Sequence, residues 1–369
     1  MSHAVVPAAL RFWLRLFEHL ERFFHSIPSV IWIAILPIIS VIHCGYELSM
    51  PYAGVANFTG TFPTPLSGSD SGSYGIRTIA WLLQVDEPDS YTRLCVLITI
   101  ATLWIVGALL FRVLSKRSAI VVSVLIVLGP IGETLFGAIG RSDVFVLLGA
   151  LVLGVVGRNI WIGFIAGLIM VAGNPEQAVA ASLAFVLVAL ALRAPGIVRA
   201  AVSSLVISCI AYFAMLAWFE HMGYISRVDS LGPNIRQSLS FFLQAAPISF
   251  YAAFGLAFVF VVIACTVLWW RRALLLILGI VLIPMFFTAI TLDQTRITVA
   301  LSCAGIAAVL VWSVPKCLQG LDALGFGSGM SLLTIIAVAL PSIAVSYPGD
   351  IILPYKTGVE QFFNPAAGS

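Results

Sequence analysis

The chain is written in long apolar runs separated by brief polar stops. Continuous runs occupy residues 29–48, 94–111, 118–139, 143–157, 159–173, 178–192, 200–219, 249–270, 273–291, 297–314 and 331–347. None shows the two-residue alternation of a half-buried strand. A helix needs ~20 apolar residues to cross ~30 Å of hydrocarbon, and only helices or closed barrels satisfy every backbone polar group there. The pattern predicts an all-α polytopic membrane protein of about eleven helices, within a range of nine to twelve. The runs between Asp143 and Leu192 hold only about fifteen residues each, which predicts thin, tilted or partly re-entrant helices.

Residues 1–28 follow a different rule. In the stretch ALRFWLRLFEHLERFFHSIP, Arg11, Arg15, Glu18, Arg22 and His25 share one helical face, and Phe12, Trp13, Leu16, Leu20, Phe23 and Phe24 cover much of the rest. That is the pattern of a helix lying in the membrane interface. No small-residue cleavage site follows a short apolar core, so the segment is expected to be retained rather than cleaved as a signal peptide. The expected organisation is this interfacial helix, a bundle over 29–347 with outer loops at 49–93 and 220–248, and a tail over 348–369.

Composition narrows the class. Hydrophobic residues make up 61% of the chain and charged residues 9%, with a mean hydropathy of +1.08. Soluble domains carry roughly 25% charged residues. Nothing in this balance suits a nucleic-acid partner. The six cysteines form no CxxC and no Cys/His pair at metal spacing, and within apolar spans they act as small hydrophobes.

Charge position predicts orientation. With the N-terminus in the cytoplasm, twelve of the nineteen basic residues fall in inner loops and thirteen of the sixteen acids fall outside or in the outer half. This is the asymmetry of the positive-inside rule. The inner face has no phosphate-binding loop of the GxxxxGK[ST] or strand–GxGxxG–helix kind. The polar chemistry therefore collects on the outer face, where a lipid-linked donor is expected rather than a cytosolic nucleotide.

Five places on that face hold candidates. The first loop contains Asp70 in the small-residue stretch SGSDSGS, followed by Tyr74, Arg77 and the amphipathic segment IRTIAWLLQV. Asp86 to Ser90 read as a helix boundary, with Asp89 or Ser90 at the N-cap, whereas Asp70 has no such structural explanation. Glu133 lies inside the third apolar run, where an ionisable group is a functional candidate facing the bundle interior. Arg141 and Asp143 flank a tight GRSD turn, with helix capping and a local pair as the alternative. Glu176 follows Asn174 and Pro175 at a helix start, where capping chemistry also explains it. Asp293 and Arg296 share a short turn; they read either as a local i,i+3 pair or as a phosphate-binding arginine with an acidic neighbour. Arg236 in the second long loop and Lys356 in the tail complete the basic set.

The arrangement of Asp70, IRTIAWLLQV, GRSD and the short spans after it resembles the GT-C class of integral-membrane glycosyltransferases, mainly over residues 29–192. GR followed by Asp is similar to a pattern in protein O-mannosyltransferases. The chain departs from the class in having no DxD or paired acids in the first loop and no large soluble domain. The resemblance implies transfer of a sugar from a polyprenyl-phosphate donor to a glycan or glycolipid at the outer face of a bacterial cytoplasmic membrane. It implies Asp70, Asp143 and Glu133 as catalytic acids and Arg141, Arg236, Arg296 and Lys356 as phosphate ligands. Tyr74, Arg77, Glu176 and Asp293 are implied as supporting groups. The cofactor stays open, with a divalent cation as one option. A polymerase of lipid-linked oligosaccharides and a lipid or solute transporter are the other readings, the last requiring broken mid-membrane helices and internal repeats, and GPIGETLFGAIG has no convincing repeat in the second half.

Overall fold

The computed structural model of the protein describes residues 8–46, 74–137, 139–221, 235–291, 294–324, 326–345 and 351–352. These residues are almost entirely helical. The exception is a two-residue ribbon, β1 (Ala344–Val345) with β2 (Ile351–Ile352), antiparallel. Five of the described helices are long and apolar enough to cross a membrane, or up to eight if each of three bent pairs is one span. Three further apolar helices are shorter. The chain is a polytopic, helical membrane protein.

The first bent pair is α1 (Ala8–Ser26) and α2 (Ser29–Cys44), which meet at 108°. α1 exposes Phe12, Trp13 and Phe23, as an interfacial helix should. A short α3 (Gly75–Leu82) precedes α4 (Pro88–Val113). α4 begins earlier than its apolar run, with Pro88 in its first turn and Glu87 at the N-cap position, so neither Asp89 nor Ser90 caps it. Proline suits a first turn because its missing N–H has no helical partner there.

The third expected span is two helices. α5 (Lys116–Val127) and α6 (Pro130–Phe136) are bent by 54° across Leu128–Gly129. Pro130 cannot donate back into the preceding turn and its ring displaces that turn's carbonyl. The Val127 carbonyl accepts a hydrogen bond from Ser40 Oγ at 2.8 Å, so the broken backbone is satisfied from α2. A Cβ on Gly132 would stand 1.9 Å from that same carbonyl, which admits only glycine.

α7 (Asp143–Val156), α8 (Ile160–Gly173), α9 (Pro175–Leu192) and α10 (Pro195–His221) follow. α8 and α10 run parallel at close range. Gly163 faces Ala200 and Gly167 faces Ser204, and a Cβ on Gly163 would lie 2.0 Å from the Ala200 carbonyl. Lipid supplies no hydrophobic drive between helices, so such backbone approach and hydroxyl pairs hold them together. Ser182 on α9 adds one such pair, its hydroxyl 2.8 Å from Ser204.

The eighth expected span is also broken, and half of the expected second loop is helical. α11 (Ile235–Phe254) and α12 (Ala257–Val267) are bent by 85° at Gly255, whose φ is +47°. Glycine takes that left-handed backbone without the clash a Cβ brings. α13 (Trp270–Ala289) carries a π-turn over Leu278–Leu282. α14 (Gln294–Ala323) is the central mast, with 83% of its apolar window buried against 22% for α10. α15 (Gly329–Ala339) closes the bundle.

Replacing Gly163 or Gly167 with leucine is expected to lower stability by about 1–3 kcal/mol or more, through overpacking at the α8–α10 contact. Gly320→Ala, where a Cβ meets nothing within 4 Å, should be near neutral. Thermal unfolding of the three variants in detergent checks this. Equal midpoints would contradict the close-packed reading.

Candidate functional site

α14 is held at both ends. At its start Arg296 Nη1 meets Asp143 Oδ2 of α7 at 2.5 Å, across 153 residues of sequence. The Asp143 side chain is 5% exposed and that of Arg296 18%. At its far end Asp322 receives Arg117 of α5 at 2.8 Å, and Arg117 Nε also reaches Glu21 of α1 at 2.8 Å. Glu21 in turn accepts from the Ser331 amide of α15 at 3.0 Å. Residues assigned by charge asymmetry to one side of the membrane thus meet each other. Glu21, Arg117 and Asp322 gather at one end, Asp143 and Arg296 at the other.

Asp143 is not an N-cap. Ser142 occupies the N-cap position, without a side-chain cap bond, and the Asp143 carboxylate is engaged by Arg296. The partner of Asp143 is thus distant in sequence, whereas turn spacing suggests a local one; Asp293 lies outside the described residues. A two-residue turn can satisfy a charge only with its own neighbours, whereas folding brings α7 and α14 alongside.

The same end receives other candidates. Gly75 at the start of α3 lies against Phe145 of α7 and the Ala172 carbonyl of α8. Gly173 lies against the Ser142 carbonyl. Segments 74–77, 141–145 and 172–176 are therefore neighbours, and α7 brings Arg296 to them. Arg77 is 3% exposed, with its guanidinium carbon 5.9 Å from the Tyr74 ring centroid. Burial pulls this guanidinium below its ordinary value, while Tyr74 and Tyr91 act in the opposite direction. It stays a cation at neutral pH all the same. At the α8–α9 turn the cap is Asn174, whose Oδ1 accepts from the Gln177 amide at 3.1 Å. Glu176 does not cap, and its Oε2 is buried without a hydrogen bond.

Glu133 occupies a separate place. It is 4% exposed and lines a cavity between α5, α6, α11 and the chain after α15. The Ser342 hydroxyl donates to Oε2, and the Ile343 amide lies close to the carboxyl. Sequence reading missed Ser342, because a serine after a helix carries no signal of its own. Arg236 is exposed on the first turn of α11. Asp70, Asp293 and Lys356 lie outside the described residues. Among the described residues no three His, Cys, Asp or Glu side chains stand together as a metal set.

Arg296→Met leaves the Asp143 carboxylate buried without its cation, which is expected to destabilise by about 3–5 kcal/mol. The double variant Arg296→Met with Asp143→Leu should recover most of that loss, since both charges are gone. Denaturant unfolding in detergent measures it. A double variant no better than the single one would mean that the pair does not carry the contact.

Compared with family models, with curated proteins and with solved structures, the chain matches none.

Proposed function

We propose that the protein is a membrane glycosyltransferase that moves a sugar from a polyprenyl-phosphate donor to a glycan or glycolipid hydroxyl. The reaction takes place on the outer face of a bacterial cytoplasmic membrane, with the N-terminus inside. One observation carries this reading. The Asp143–Arg296 pair sits at an end of the bundle where the segments bearing Tyr74, Arg77 and Glu176 are neighbours, and Asp70 precedes Tyr74 by four positions in the sequence.

The chemistry follows from these groups. A guanidinium fork matches phosphate oxygens as well as it matches a carboxylate. A donor phosphate reaching Arg296 competes with Asp143 for it, and releases a carboxylate beside the incoming acceptor. Asp70 or Asp143 then takes the proton from the acceptor hydroxyl as that oxygen bonds to the anomeric carbon. The bond from this carbon to the phosphate oxygen breaks, and the phosphate leaves with the electron pair. Arg296, with Arg141 beside the GRSD turn, stabilises the charge that develops on it. A single displacement inverts the anomeric centre. Arg236 and Lys356 would contact the lipid-linked chain at its edges, and Asp293 would flank Arg296. A divalent cation at the phosphate is an option that the donor chemistry allows.

A second reading has its own observation. The breaks in α5–α6 and α11–α12 face each other at Glu133, and paired broken helices are the substrate sites of many transporters. Transport of a lipid-linked precursor is the function that fits this feature.

Transfer from a radiolabelled polyprenyl-phosphate sugar by purified protein separates the two. Asp70→Asn and Arg296→Lys should each lower transfer by about 100-fold or more, the range of a lost general base or charge clamp. Unchanged transfer in Asp70→Asn removes Asp70 from the mechanism. In cells lacking the protein, a glycan short of one sugar supports the transferase. An intact lipid-linked precursor held on the inner leaflet supports the transporter.

A further inference from the structure

We propose that the Glu133 cavity binds one small monovalent cation, a proton or Na+, at the meeting point of two broken helices. This goes beyond sugar transfer and does not depend on it.

The cavity is built by the two breaks. Gly129 and Pro130 supply one wall, Gly255 and Tyr251 the other, and a Cβ on Gly255 would already stand 3.2 Å from Pro130. Space of about 30 Å³ accessible to water remains between them. That is room for a water or a dehydrated cation, since one water needs at least ~10–15 Å³ by this measure.

Glu133 faces this space. Ser342 occupies Oε2 and the Ile343 amide lies close to the carboxyl, whereas Oε1 is buried and completes no hydrogen bond. Among the described residues no cation lies within ion-pair distance of this carboxylate. A carboxyl kept for structure has both oxygens satisfied. A carboxylate in an apolar, buried wall needs one positive charge brought to it.

The surroundings do not supply that charge. α2 brings His43 and Cys44, α11 brings Tyr251, and the chain after α15 brings Ser342. On the neighbouring helices, Arg296 of α14 closes on Asp143 of α7 rather than on Glu133. A single carboxylate with hydroxyls around it matches one monovalent charge, and among the described residues no set of acids is present for a divalent one. The glycine and proline breaks give the backbone a joint through which occupancy of the site can be felt in α6 and α12.

The test uses the purified full-length protein in detergent, with no donor present. Thermal midpoints are compared for wild type and Glu133→Gln across pH, in NaCl and in choline chloride of equal ionic strength. A bound proton stabilises at low pH, so the wild-type midpoint should fall as pH rises. If Na+ substitutes for the proton, NaCl but not choline chloride restores it. Glu133→Gln carries no exchangeable charge and should lose both dependences. A Glu133→Gln profile that tracks wild type overturns the proposal. If that variant does not fold, dicyclohexylcarbodiimide labelling of wild type decides instead. Modification of Glu133 that declines with pH or with Na+ supports the site. Absence of modification, or modification indifferent to both, overturns it.

Discussion

The structure depends on how one buried helix is held. α14 spans about 45 Å at 1.5 Å per residue and carries its paired charges near its ends, where Arg296 meets Asp143 and Asp322 meets Arg117, while Lys316 rests over the Trp312 ring. Between those pairs it packs through small residues, Gly305 against Val188 and Ile280, and Ala304 against Gly154. In a bundle surrounded by lipid, apolar contact does not say how far a helix should slide. The two ion pairs do, because each is satisfied at one register only. Everything attached to α7 and α5 inherits its height from that register, including the convergence of segments 74–77, 141–145 and 172–176.

The two ends differ in character. The end with Glu21, Arg117 and Asp322 is a closed set of partners that ties the interfacial helix α1 to the bundle, and Ser331 completes it. The opposite end joins one buried pair to a buried arginine, Arg77, and to a glutamate with an unsatisfied oxygen, Glu176. A set of partners that closes on itself locks, whereas the Glu176 oxygen is left to accept a hydrogen bond. This contrast supports the transferase reading, which the Asp143–Arg296 pair and its neighbours carry.

Much of this was legible in the sequence. Apolar runs located the helices, and charge asymmetry sorted residues into the two sets that fold together. What escaped was whatever depends on a partner distant in sequence. Asp143 looked like a cap because its neighbours explained it, and its arginine lay 153 residues away. The helix breaks were written in Gly129–Pro130 and Gly255, but inside a hydrophobic run these were read through rather than as joints. The spacing of Gly163 and Gly167 stands in the sequence too, but it names no partner, and only the fold shows that α10 packs on it. Ser342 carried no signal at all.

The most direct measurement of the central claim is native mass spectrometry of the protein with a polyprenyl-phosphate sugar, comparing wild type with Arg296→Met and with Arg117→Met. The account predicts that wild type and Arg117→Met retain the donor lipid and that Arg296→Met loses it. Retention by Arg296→Met together with loss by Arg117→Met would place the phosphate at the opposite end of the bundle and contradict the account.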